Sequence, residues 1–106
     1  MNKIYILNTP VLTSYGKYIF RKFSIEKTRK LLLSSNFVSA VGHEATAKFL
    51  SQLLGIEIAF NRVQIKMQKG DRAIVFKLLD RLPEGKVLSL EELKNVRFEI
   101  GLLIKI

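Results

Sequence analysis

Apolar side chains recur along this chain with a period of two in some stretches and of about 3.6 in others, and the changes of period mark its elements. Residues 3–8, Lys-Ile-Tyr-Ile-Leu-Asn, are rich in β-branched and aromatic side chains and end at Thr9-Pro10, which predicts a buried strand stopped by a loop that runs on to Tyr15-Gly16. Over 17–23, Tyr18, Phe20 and Lys22 face one way and Ile19, Arg21 and Phe23 the other, as in a strand near a sheet edge. Ser24 reads as the N-cap of a short helix through Glu26, Lys30 and Leu33. A brief β-like run over 36–41 is closed by Gly42. From 43 to 54, Ala47, Phe49, Leu50, Leu53 and Leu54 fall at helical spacing, with Gly55 as a natural stop. Strict alternation returns over 62–67, where Val63, Ile65 and Met67 oppose Arg62, Gln64 and Lys66. It resumes over 73–79 after Lys69-Gly70-Asp71, so the two runs are predicted to pair as a hairpin. Leu82-Pro83-Glu84-Gly85 is a turn, Ser89 and Glu92 form a capping box for a short helix, and 96–106 closes the chain as a strand alternating Phe98, Ile100, Leu102 and Ile104. The expectation is an α+β fold: a single compact domain over residues 1–106, with a mixed sheet of about five strands flanked by roughly two or three helices.

Composition adds a partner class. Eighteen Lys and Arg against nine Asp and Glu give a net charge of +9, enough to draw in polyanions, phosphate first among them. The same excess also serves solubility when it is spread evenly, so position has to decide. The chain has no cysteine, which excludes disulfides, thiolate catalysis and cysteine metal sites and fits a reducing compartment. The apolar start over 4–7 is interrupted by Asn8 and Pro10, and no stretch of about eighteen apolar residues occurs. A soluble protein without a membrane partner is expected, cytoplasmic in location, or in the host cytoplasm if the gene is viral.

His43, the only histidine, follows Gly42 at a helix start, where unpaired N–H groups and the helix dipole favour an anion. That field opposes an imidazolium until a phosphate docks, and a docked phosphate then favours it, which suits a general acid. His43 also falls on one helical stripe with Ala47, Leu50 and Leu54, and periodicity alone favours a packing role for it. Arg62 and Lys66 on one hairpin strand, with Lys77 and Arg81 four apart on the other, would make a basic sheet face fit either for phosphates or for solvent. Glu84, just after Arg81, is placed to orient that arginine or a ribose hydroxyl, or to be a plain turn carboxylate. Asn8 ends a strand and Thr13 and Ser14 offer hydroxyls in the loop beyond it, a usual place for ligand contacts.

One histidine without cysteine or clustered acids cannot build a catalytic zinc site, and no Walker, Gly-rich phosphate or Gly-x-Ser-x-Gly motif is present. No cofactor is expected. For a phosphodiester that leaves attack by the substrate's own 2′-hydroxyl, which needs in-line positioning, cations and a proton for the 5′-oxygen. RNA meets this requirement and DNA does not.

Val41-Gly42-His43-Glu44-Ala45-Thr46, then Asn61-Arg62-Val63-Gln64-Ile65-Lys66-Met67, then Asp80-Arg81-Leu82-Pro83-Glu84-Gly85-Lys86-Val87-Leu88-Ser89-Leu90-Glu91-Glu92, with the opening strand ending at Asn8, closely resemble the viral type III anti-CRISPR ring nucleases and their cellular CRISPR-associated relatives. The resemblance implies a homodimer that encloses one cyclic tetra-adenylate, the second messenger of type III CRISPR immunity, and cuts it to linear di-adenylate. It implies His43 as general acid, Arg62 and Arg81 on phosphate, Glu84 near the scissile group and Asn8 on the ligand. Lys77 stands where some members carry glutamine, and the loop over 9–14 differs from the viral members. The alternative class is a non-catalytic module that binds cyclic oligoadenylate or RNA, and a general basic nucleic-acid binder is a third, marked by steep salt dependence.

Overall fold

The structure, a computed structural model, describes residues 3–9, 12, 14–80 and 89–106. The elements run β1 (Ile4–Leu7), β2 (Tyr18–Lys22), α1 (Ile25–Leu33), β3 (Val38–Ala40), α2 (Glu44–Leu54), β4 (Arg72–Leu78), α3 (Leu90–Asn95) and β5 (Phe98–Lys105). The five strands form one mixed sheet in the order β2-β5-β4-β1-β3, the α+β arrangement expected. β1 is an interior strand, parallel to both β3 and β4, while β5 is antiparallel to β4 and β2. The exposed β2 lies at the edge, as its alternation predicts, and Arg21 and Lys22 on it guard that edge against further pairing.

The expected caps are present. Ser24 Oγ accepts from Lys27 N at 3.1 Å to start α1, and Gly55 ends α2 in the left-handed region at φ 65°. Ser89 and Glu92 exchange reciprocal bonds of 3.2 Å each, completing the capping box before α3.

One face of the sheet packs under α1 and α2. Ile4, Ile6, Ile74, Phe76, Ile100 and Leu102 meet Leu32, Phe49, Leu50 and Leu54 there. Phe49, Phe76 and Phe98 form a ring cluster with centroids 5.1 to 6.0 Å apart. On the other face Tyr5, Leu7, Ala40, Ala73, Val75 and Leu103 are covered by Met67, with Ile65 and Tyr18 half-buried beside them.

That cover corrects the predicted hairpin. Residues 62–67 join no strand ladder, because both edges of β4 are already taken, by β1 and by β5. The segment instead lies as a strap over the sheet, its alternate side chains going from exposed Val63 through half-buried Ile65 to fully buried Met67. Alternation reports extended backbone on an apolar surface and leaves the hydrogen-bonding partner unspecified. The strap begins where Asn61 N donates to Val41 O at 2.9 Å and Asn61 Nδ2 donates to Ser39 O at 2.7 Å. It ends at a turn closed by the buried Asp71, whose carboxylate accepts from Gln68 N and Lys3 N at 2.8 Å each.

Candidate phosphate-binding crevice

The parallel strands β1 and β3 finish at the same end of the sheet, and the start of the strap closes over them there. Leu7, Asn8, Thr9, Ala40, Gly42 and the strap from Arg62 to Ile65 enclose a crevice of about 470 Å³. Crevices beyond the carboxyl ends of parallel strands are where open sheets of this kind bind ligands. Gly42 is its joint: its N–H donates to Asn8 Oδ1 at 3.4 Å and its carbonyl accepts from Arg62 Nε at 3.3 Å. The bond through Nε fixes the arginine stem and leaves the terminal guanidinium nitrogens to an anion. Asn8 and Arg62, 54 positions apart, are thus brought to the two peptide groups that flank Gly42, the residue before His43.

His43 is the N-cap of α2, with extended backbone at φ −135° and ψ 120°, and its side chain caps nothing. The ring is exposed, while Ala47, Leu50 and Leu54 on the supposed shared stripe are buried, so the packing reading of His43 does not hold. The helical period cannot be carried back onto a residue outside the helical φ/ψ region. Its Nδ1 lies 3.3 Å from Oγ1 of the buried Thr46, which orients the ring and leaves Nε2 for a ligand. Thr46 was not foreseen as a site residue; its place three residues after the N-cap is the signal that marks it. His43 follows the lining residue Gly42 in the chain but is not itself among the residues lining the crevice.

The other expected residues divide. Lys77, exposed on β4, lies beyond Val75, the last residue paired with β1, and so at the same sheet end as Asn8. It lines a separate cavity of about 280 Å³ with Phe20, Lys22 and Glu99. Lys66 is exposed on the strap, and without the hairpin the basic face expected across two paired strands does not form. Arg81, Glu84 and Thr13 lie outside the described residues. Asp80, just before Arg81, accepts from Arg97 N at 2.7 Å and from Arg97 Nη2 at 2.8 Å, tying the end of β4 to the start of β5. Those bonds hold the Asp80 carboxyl below its ordinary value. Among the described residues no three His, Cys, Asp or Glu side chains gather as metal ligands would, and no helix is long and apolar enough to cross a membrane.

Comparison with known proteins places these features in a lineage. A family model described as STIV B116-like matches residues 4–100. Uncharacterized protein 26 of Sulfolobus islandicus filamentous virus is 42% identical over 93% of this chain and 88% of its own length. Protein YddF of Bacillus subtilis is 35% identical over 98% of both chains, so relatives occur in a bacterium as well as in archaeal viruses. Among solved structures, B116 of Sulfolobus turreted icosahedral virus superposes with a TM-score of 0.84 at 26% identity, covering 97% of this chain and 99% of its own.

Proposed function

The chain belongs to the STIV B116-like family, and from that premise, the crevice and the ring-nuclease resemblance we propose that it is a metal-independent phosphodiesterase that cleaves cyclic tetra-adenylate. The observation that carries the reading is the backbone of Gly42, whose N–H and carbonyl bond Asn8 and Arg62 just before an exposed histidine at a helix start.

In this reading a phosphodiester of the ring docks against the N-terminus of α2 and the guanidinium of Arg62. The neighbouring ribose 2′-hydroxyl loses its proton to solvent and attacks phosphorus in line, and the bond to the 5′-oxygen breaks. Imidazolium Nε2 of His43 gives its proton to that oxygen, with Thr46 holding the opposite ring nitrogen. Each cut leaves a 2′,3′-cyclic phosphate and a 5′-hydroxyl, and two cuts turn the tetramer into two linear di-adenylates. Arg62 and Arg81 offset the charge that grows on the phosphoryl oxygens, Glu84 assists beside them, and Asn8 and Lys77 hold the rest of the ligand. A homodimer would present two such sites to a ligand that itself has two-fold symmetry. The activity would switch off type III CRISPR signalling, an anti-CRISPR function in a virus and a housekeeping one in a cell.

The test is incubation of the purified protein with cyclic tri-, tetra- and hexa-adenylate in the presence of chelator, with separation of the products. Conversion of the tetramer alone to linear di-adenylate is expected. Saturable binding without turnover would instead identify a sequestering or sensing module, and neither binding nor cleavage would end the reading.

A further inference from the structure

On the strapped face, the sheet beside the crevice lies open. Phe20 is 55% exposed there, and Lys22, Lys77 and Glu99 are exposed with it. These side chains share one face with Val75 and Gly101, because Lys22 and Val75 both pair with Gly101 and Lys77 pairs with Glu99 across the ladders. Together the six line the cavity of about 280 Å³. Gly101 shapes it: the Phe20 ring reaches across the glycine backbone, and a Cβ there would collide with the ring. Lys77 and Glu99 stand directly opposite, a position that favours an ion pair, yet among the described residues Glu99 closes none with either lysine. The cavity adjoins the crevice. Val75 lines the first and Leu7 the second, and the two are register partners in one apolar cluster, a single strand spacing of about 4.8 Å apart.

A simple anion in this cavity would meet the Glu99 carboxylate, and a simple cation would meet two lysines. A ligand that suits all three carries a negative group and an N–H donor on a flat body that the half-open Phe20 ring can stack. A nucleotide whose base bears an exocyclic amine has that chemistry. We propose that the cavity is a nucleotide subsite in which Phe20 stacks the base, Glu99 accepts a hydrogen bond from its amine, and Lys22 and Lys77 hold a phosphate. Its size suits one nucleotide, being just below the roughly 300–1,000 Å³ typical of sites for larger ligands. A strand with a phosphate against Arg62 in the crevice would place a neighbouring base here. That the base is an adenine of cyclic tetra-adenylate rests on the ring-nuclease reading; the subsite itself rests on the cavity.

The probe is adenosine 5′-monophosphate, titrated into isotope-labelled protein by NMR beside purine riboside 5′-monophosphate, which lacks only the 6-amine. Amide signals of Phe20, Lys22, Lys77 and Gly101 should shift saturably, with the amine-bearing nucleotide bound about tenfold more tightly. Phe20→Ala should weaken both nucleotides about tenfold, while Phe20→Tyr, which keeps the ring, should bind like the wild type. Glu99→Ala should bring the two nucleotides within about twofold of each other. Shifts confined to 62–65, equal binding of the two nucleotides by the wild type, or unchanged affinity in Phe20→Ala would each overturn the subsite, as would no binding at millimolar nucleotide. Absence of cyclic tetra-adenylate cleavage, with the expected titrations intact, would count against the ring-nuclease reading and leave the subsite standing.

Discussion

The two faces of the sheet are covered by different means. Beneath α1 and α2 the cover is side chain against side chain, with the Phe49, Phe76 and Phe98 rings in mutual contact and Leu50 and Leu54 buried to 2% exposure. On the opposite face the cover is a single strap fixed near its ends, by Asn61 to β3 and by Met67 and Gln68 to Ser14, Lys105 and Asp71, with Val63 and Gln64 exposed between. The helix-covered face holds the fold and the strapped face holds the crevice. Segments with few buried contacts open at low cost, which is what the proposed site would need in order to admit a cyclic ligand.

The comparison is open to attack from either side. Phe76→Ala, in the middle of the ring cluster, should lower global stability by about 3–5 kcal/mol in urea unfolding, through lost apolar contact and the cavity left behind. A loss below about 1 kcal/mol would mean that this face does not dominate stability. Asn61→Ala removes the 2.7 Å bond to Ser39 O and should cost only about 1 kcal/mol. It should nonetheless speed exchange over 62–66 and weaken ligand binding, separating the strap from the fold; an equal acceleration in α2 would erase the distinction.

A smaller effect is expected at Asp80. Its carboxyl is held below the ordinary 3.8 by hydrogen bonds from Arg97, so the unfolded chain binds the proton more readily. The stability this contributes is fully present above the unfolded value and is lost as pH falls through the folded one. Melting temperatures of wild type and Asp80→Asn should therefore differ near neutral pH and converge in acid, once pH has fallen through the lowered folded value. Because both partners lie at the surface the difference is modest. A difference that persists unchanged in acid would mean that the carboxylate is not its source.

Much of the fold was legible because local rules state it. Ser24, Gly55 and the Ser89–Glu92 pair mark helix ends through their own backbone and side-chain chemistry, and the buried strands announce themselves by β-branched runs. The strap was misread as a strand because a period of two describes extended backbone whether it lies beside a sheet or across it. His43 was read onto the apolar stripe because periodicity ignores that an N-cap residue leaves the helical conformation. The hydrogen bonds of Lys105 to Ser14 and Met67 were invisible, since they join residues 91 and 38 positions apart that no local pattern relates. At the crevice, Asn8, Arg62 and His43 were legible as candidates, whereas Gly42 and Thr46 emerged only once the chain had folded back on itself.

The central claim, that the exposed histidine following Gly42 donates the proton in the proposed cleavage, is tested most directly by one variant. His43→Ala leaves the buried residues of α2 untouched. It should melt like the wild type, bind cyclic tetra-adenylate with an affinity within about threefold, and cleave it roughly 10²- to 10⁴-fold more slowly in single turnover. Cleavage by His43→Ala at the wild-type rate would contradict the account.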